Sequence, residues 1–276
     1  MKNLLKKFFR KQVLLPVALL TLGSANAMAA LVAGNVEVGS VTGKVNASFG
    51  SGNRVAVSTG AVLNAGATLY CAGDSSAELY FANGVKAVML PGSELRITKF
   101  DIEQNGQVPT AGYKGITKEP SNSRTQVYVN SGKVLFEARS LNVPVSEFKV
   151  TTPLAVATVN GTVFYVEQAD IYVKVGCAEG SVSVLPRVSV GAPVTLGEKE
   201  TVVYRLRKSG ETIEGVFEAV RPMGEGDYAG VLEQAERSSA SNGQFVQGGI
   251  EVDLDSEAVI DHTLILVSPN GDGQGG

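Results

Sequence analysis

Two cysteines, one histidine and many carboxylates are the side chains in this sequence that could do chemistry. Cys71 and Cys177 can form a disulfide in an oxidising compartment, or both can be buried thiols. The only histidine, His262, follows Asp261, but a Ser/His/Asp triad also needs an activated serine, and no G-x-S-x-G elbow supplies one. Two cysteines and one histidine in unrelated segments lack metal-ligand spacing. We therefore predict no catalytic residues, no metal site and no cofactor.

The carboxylates leave one enzymatic alternative open. The chain has 27 acidic residues, and counting them does not show whether two converge in a cleft, as glycoside hydrolysis requires. Residues 269–273 contain Asn and Asp close to glycine, but this stretch is too short for a twelve-residue calcium loop. We expect that the protein is not an enzyme. An enzyme acting on carbohydrate ranks third, behind two non-catalytic roles.

The elements that would position these side chains begin after an export signal. Five basic residues precede an apolar run at 13–22, and this run is too short to span a membrane. Two small-residue sites follow, Ala25-Asn26-Ala27 and Ala27-Met28-Ala29, and either fits the rule for cleavage. We predict a signal peptide at residues 1–29 and a mature protein that is periplasmic, secreted or on the cell surface, with no stable membrane span.

The charge of the mature chain excludes one class of partner. The signal peptide holds five of the 24 basic residues and none of the 27 acidic ones, so its removal changes the net charge from −3 to −8. An acidic surface repels phosphate, and the mature chain has no cluster of Lys and Arg with interleaved aromatic residues. We therefore expect no binding to nucleic acid.

The pattern of residues 35–206 predicts an all-β domain. Short runs of Val, Ile, Thr, Tyr and Phe are interrupted every eight to twelve residues by Gly, Asn, Asp or Pro. Residues 126–130 and 171–175 alternate between apolar and polar side chains, as half-buried strands do. Turn dipeptides separate the runs, namely Asn83-Gly84, Pro91-Gly92, Ser131-Gly132, Asn160-Gly161 and Glu179-Gly180.

Three segments depart from this pattern. The polar insertion at 101–124 predicts a long loop, which is either a mobile surface loop or a binding loop. Residues 207–267 are acidic, with one helix predicted at 226–240 and strands at 250–254 and 259–267. The glycine-rich residues 268–276 predict a flexible tail.

The order of these segments resembles the FecR-domain family, the exported module of FecR anti-sigma regulators. A strand ends at Thr152-Pro153, small residues follow, and Asn160-Gly161-Thr162 precedes a strand with Phe164 and Val166. The family pattern has arginine where this chain has Asn160, so no role of that arginine transfers here. Cys71 replaces the usual threonine of an upstream turn. The family-motif positions are Thr152, Pro153, Asn160, Gly161, Thr162 and Phe164.

The resemblance implies a twisted, solenoid-like stack of short β-hairpins, followed by a C-terminal segment with one short helix. We expect a non-catalytic binding or regulatory module of the bacterial cell envelope, whose partner is a protein or an envelope polymer. About a dozen residues precede the apolar run, so we do not expect a full membrane-spanning anti-sigma regulator. The alternative is a structural component of an envelope or extracellular assembly, for which the protein would self-associate.

Overall fold

The computed structural model describes residues 31–103, 113, 116–139, 141–142, 145–236, 245–246 and 249–250. Several predictions concern residues outside this set. These are the signal peptide, His262, residues 104–112 and 114–115 of the insertion, the strand at 259–267, nearly all of the strand at 250–254, and the glycine-rich tail. The boundaries proposed for the domains at 35–206 and 207–267 stay predictions.

The described chain is mostly β-strand. Short strands in its first third are β1 (Leu31–Ala33), β2 (Val36–Thr42), β3 (Val45–Phe49), β4 (Val55–Ala56), β5 (Val62–Leu63), β6 (Ala67–Cys71), β7 (Ser76–Phe81) and β8 (Lys86–Met89). Longer strands dominate the middle, with β9 (Glu94–Glu103), β10 (Ser123–Glu137), β11 (Glu147–Thr151), β12 (Ala155–Gln168) and β13 (Tyr172–Pro186). The remaining elements are β14 (Val194–Leu196), β15 (Glu200–Ser209), β16 (Thr212–Phe217), β17 (Arg221–Pro222), α1 (Glu225–Glu236), β18 (Phe245–Val246) and β19 (Gly249–Ile250).

Hydrogen bonding joins β1 to β17 into one sheet that closes on itself. The first layer consists of β3, β6, β9, the first half of β10, β11, the first half of β12, the second half of β13, and β14. The second layer consists of β2, β7, β8, the second halves of β10 and β12, the first half of β13, and β15 with β16. Closure results because β11 pairs with β10 and β12, which also pair with each other.

Three long strands pass from one layer to the other at glycines. Gly132 in β10, Gly161 in β12 and Gly180 in β13 have φ values of 79°, 61° and 80°, a region that costs side-chain-bearing residues energy. The pairing register shifts near Gly132 and Gly161, as at a β-bulge. The prediction that these dipeptides are turns between separate short strands was therefore wrong. They bend continuous strands, whereas Asn83-Gly84 and Pro91-Gly92 do lie between strands.

The core lies between the two layers and has five phenylalanines at its centre. Phe81, Phe136 and Phe164 come from the second layer, and Phe100 and Phe148 come from the first. Their ring centroids lie 5.1–6.5 Å apart in the recorded pairs, mostly edge to face, a geometry favoured by the ring quadrupoles. These contacts across the interior hold the two layers together.

The predicted mostly-β class with one short C-terminal helix is confirmed. The predicted helix at 226–240 corresponds to α1, which ends at Glu236. The arrangement differs from the predicted solenoid-like stack of short hairpins, since the described strands form a small closed barrel of mixed pairing with further strands at its periphery. In the described part of the chain, no helix has the length and apolar character needed to cross a membrane.

Candidate functional site

The family-motif threonine and proline form a turn between β11 and β12. Thr152 is buried, and its hydroxyl oxygen accepts hydrogen bonds from the backbone amides of Leu154 and Ala155 at 3.2 and 3.0 Å. Pro153 lies between these residues and is half-buried. Arg187 donates from Nη1 to the Thr152 carbonyl oxygen at 2.6 Å. Because these hydrogen bonds join Thr152 to other residues of the domain, Thr152 and Pro153 shape the connection between β11 and β12.

The second part of the motif builds the bend in β12. Gly161 supplies the positive φ, and buried Thr162 donates from its hydroxyl to the Ser181 carbonyl at 2.9 Å. Phe164 points into the core and stacks on Phe136 at 5.1 Å. The backbone of Asn160 pairs with Ser181 in β13. The motif positions that the structure describes therefore specify the fold and do not line an open site.

The two cysteines are free thiols buried in different parts of the sheet. Cys71 ends β6, where it pairs with Val45, whereas Cys177 lies in β13 and pairs with Phe164 and Glu200. Burial raises the pKa of Cys71 to about 11 and that of Cys177 to about 12. Since the thiolate is the reactive form, neither side chain is activated at neutral pH. The disulfide permitted by the sequence is not formed in this structure.

The outer face of the first layer carries an open polar groove of about 580 Å³. Its floor consists of side chains that alternate with buried neighbours along β9 to β12. Val145, which is exposed, and Ser146 form one rim. The polar side chains of the floor are Lys99, Arg124, Gln126, Glu147, Lys149 and Thr158.

Strand register brings these groove side chains together. Gln126 of β10 pairs with Lys99 of β9 on one side and with Lys149 of β11 on the other. Lys149 also pairs with Thr158 of β12. Directly paired residues on one face of a sheet have Cβ atoms about 5 Å apart. The groove therefore presents a row of hydrogen-bonding groups that crosses four strands.

Three cationic side chains and one carboxylate line the groove, and the carboxylate is held ionised. The Lys149 ammonium lies 2.9 Å from Glu147 Oε2, and Gln126 donates to Glu147 Oε1 at 3.2 Å. The hydrogen bond with Lys149, opposed by partial burial and helped by Gln126, lowers the pKa of Glu147. Arg124 is exposed and has no described carboxylate within 4.0 Å. A general acid at neutral pH needs a raised pKa, so Glu147 is unsuited to that role.

A buried carboxylate supports the rim of the groove. Glu119 accepts hydrogen bonds from the hydroxyls of Ser123 and Ser146 at 2.5 Å each and from the backbone amide of Asn142 at 2.7 Å. Asn83 donates to Ser123 at 2.9 Å and extends the network towards β7. Multiple donors compensate the desolvation of a buried carboxylate. Sequence analysis missed Glu119 because it lies in the polar insertion, where no periodic signal marks it. The described end of that insertion is anchored to the fold.

Among the residues that the structure describes, no group of three or more His, Cys, Asp and Glu side chains is placed to hold a metal ion. The sole histidine lies outside them. Sequence analysis also missed Arg139, which binds Glu179 through Nε and Nη2 at 2.7 and 2.8 Å and lowers the pKa of that carboxyl. This ion pair lies beside Gly180, at the bend of β13.

Comparison with known proteins identifies the central part of this fold. Residues 67–183 match the family model described as FecR protein. The chain contains a FecR domain. The matched residues run from β6 into β13, so the FecR domain includes the motif positions, the three glycine bends and the whole groove. The predicted resemblance is thus confirmed, over a range that lies within the predicted 35–206.

Two solved structures are similar to this FecR-domain chain. Both are crystal structures of a provisionally assigned anti-sigma factor from Parabacteroides distasonis ATCC 8503, at 1.65 and 2.50 Å resolution. Each is 16% identical over 55% of this chain, with TM-scores of 0.38 and 0.37. The match covers 58% of the length of that protein. No curated protein matches the chain.

Proposed function

We propose that this FecR-domain chain is a non-catalytic binding or regulatory module of the bacterial cell envelope. Its partner is a protein or an envelope polymer, and the polar groove of the first layer holds that partner. The proposal rests chiefly on the groove, which offers cations, an amide and a hydroxyl on one rigid sheet face. Sites built on sheet strands are positioned more precisely than sites on loops.

The chemistry of the groove supports binding over turnover. FecR domains are typically non-catalytic and regulatory. Glu147 is kept ionised by Lys149 and Gln126, so it lacks the raised pKa of a glycosidase acid. Polar groups of this kind fix the orientation of a bound ligand through hydrogen bonds. The expected export signal at residues 1–29 supports a location outside the cytoplasm, in the periplasm or at the cell surface.

Retention of a partner from envelope extract tests the proposed function. The mature protein, immobilised on beads, is compared with an Arg124→Glu/Lys149→Glu variant of the groove and with Lys208→Glu, an exposed control at the β15–β16 hairpin. We expect wild type and the control to retain the same protein or polymer and the groove variant to lose it. Equal retention by all three proteins, or turnover of a glycan by the wild type, would refute the proposal.

The free edge of β16 supports a second candidate function, a structural component of an envelope or extracellular assembly. Within the described residues β16 pairs only with β15, and Ile213 on it is 68% exposed. Val188 and Val190 are also exposed, on the loop whose Ser189 bonds the Gly215 carbonyl of β16. Unpaired edges with apolar side chains favour association. Sizing chromatography over a hundredfold concentration range distinguishes the candidates, since only a building block forms concentration-dependent oligomers.

A further inference from the structure

Four lysines of the β-structure converge on α1. The Lys174 ammonium lies 2.8 Å from Asp227 Oδ2, and Lys133 lies 3.5 Å from Asp227 Oδ1. At the other end of the helix, Lys86 donates from Nζ to the Gln234 carbonyl oxygen at 2.8 Å. Lys199 Nζ lies 4.6 Å from the centroid of the Tyr228 ring. We call the outer surface of the second layer formed around Lys86, Lys133, Lys174 and Lys199 the lysine face.

The helix on this surface is complementary in charge. Its twelve residues, EGDYAGVLEQAE, include four acidic side chains and no basic one. Asp227 lies in the first turn, where a negative charge interacts favourably with the helix dipole, and Lys86 lies at the carbonyl end, where a positive charge does so. The lysine face therefore matches the charge of an acidic helix and also its direction.

Apolar contact between α1 and the lysine face is limited. The shared cluster consists of Val88, Leu135, Val163, Tyr165, Ala178, Met223 and Val231, with Tyr228 and Leu232 at its edge. Among residues 225–234 of α1, whose side chains the structure describes, Val231 alone is buried. The Asp227 side chain is 36% exposed, so salt screens its two ion pairs. Gly224, which precedes the helix, has no other atom within 4 Å of the position that a Cβ would occupy. Ion pairs and the Lys86–Gln234 hydrogen bond therefore contribute to the attachment of α1 beside this apolar contact, and a competing acidic helix can supply the same groups.

We propose that the lysine face is a docking surface for an acidic amphipathic helix of another protein, and that α1 occupies this surface within the chain and competes with that helix. The surface lies on the opposite layer from the groove, so the proposal goes beyond the function assigned to the groove. Competition follows because a tethered segment acts at a millimolar effective concentration, which a free helix must overcome. Loss of the Asp227 ion pairs weakens the binding of α1 to the lysine face. The four lysines stay in place and can bind the competing helix.

Peptide binding to the full mature chain tests this proposal. The probe is a fluorescent peptide with the sequence of residues 225–236, measured by fluorescence anisotropy at low and high salt. We expect Asp227→Lys to bind this peptide at least tenfold more tightly than wild type does, with the gain lost at 0.5 M NaCl. Glu225→Lys is the matched control, because it makes the same charge change in the same turn on an exposed residue. A peptide carrying lysine in place of its own aspartate should not bind.

Acylation of Lys86 reports separately on whether α1 has left the surface. Lys86 is 5% exposed beneath the helix, whereas Lys149 lies in the open groove and serves as the reference. We expect Asp227→Lys to raise the labelling rate of Lys86 at least fivefold relative to Lys149, and the bound acidic peptide to reverse the increase. Asp227→Asn provides a milder change if the lysine variant does not fold, as judged by circular dichroism.

Three results would overturn the proposal. In a folded variant, unchanged Lys86 labelling together with unchanged peptide affinity would show that Asp227 does not hold α1. Exposed Lys86 with equal binding of the acidic and the lysine-substituted peptide would show that the surface does not select acidic helices. Dimerisation of the Asp227→Lys variant in light scattering would assign the surface to the helix of a second copy.

Discussion

Replacement of Phe148 by alanine tests whether the aromatic cluster joins the two layers. The Phe148 ring contacts Phe136, Phe164 and Phe81 with centroid distances of 5.5, 6.3 and 6.5 Å, and all three rings belong to the second layer. Truncation of a buried phenylalanine costs about 3–5 kcal/mol. Because three ring pairs are lost as well, we expect a cost at the upper end, about 4–5 kcal/mol.

Urea unfolding of the mature protein, followed by circular dichroism, measures this change. Phe148→Leu keeps most of the volume and should cost less than about 1.5 kcal/mol. Val145→Ala, an exposed change three residues away, should stay within about 0.5 kcal/mol. A cost below about 2 kcal/mol for Phe148→Ala, with an unchanged urea slope, would refute the argument that these rings hold the layers together.

Three further predictions follow from other contacts. Gly132→Ala should destabilise the protein by clearly more than Gly50→Ala does in urea unfolding. Both glycines have a positive φ, but only a Cβ at position 132 would lie 2.5 Å from a backbone atom. Equal losses of unfolding free energy in the two variants would contradict this. The hydrogen bond with Lys174 lowers the pKa of Asp227 in the folded state, so its stabilisation is complete above the unfolded carboxyl pKa of about 4 and is lost as the pH falls through the folded value. Acid unfolding should show this loss in wild type and not in Asp227→Asn. Cys71 and Cys177 should resist iodoacetamide at pH 8 in the native protein and react in urea, as followed by mass spectrometry, because burial raises both thiol pKa values.

Strand content was predictable from the sequence because alternation and turn residues act locally. Residues 126–130 alternate as predicted, with Val127 and Val129 buried and Gln126 facing the groove. The continuity of the strands was not predictable. A Ser-Gly pair such as Ser131-Gly132 fits a turn as well as a bulge, and only the pairing of β10 with β8, β9 and β12 decides between them.

The candidate sites could not be predicted from the sequence because the pairing of distant strands brings their side chains together. Lys86, Lys133 and Lys174 are separated by 41 or more positions and meet only when β8, β10, β12 and β13 pair in the observed order. Glu119 finds its donors at the start of β10 and in the connection between β10 and β11. The motif residues were predictable as positions, but their role in turns and bends emerged from their hydrogen bonds.

The three bent strands have a consequence for how this domain can carry a signal. Since β10, β12 and β13 are adjacent and each belongs to both layers, covalent backbone crosses the boundary between the layers three times. Any movement of one layer against the other must therefore bend or shift all three strands. A load applied to the first layer would therefore reach the second layer along these three strands. The elements outside these crossings include α1 and β16, and within the described residues β16 pairs with β15 alone.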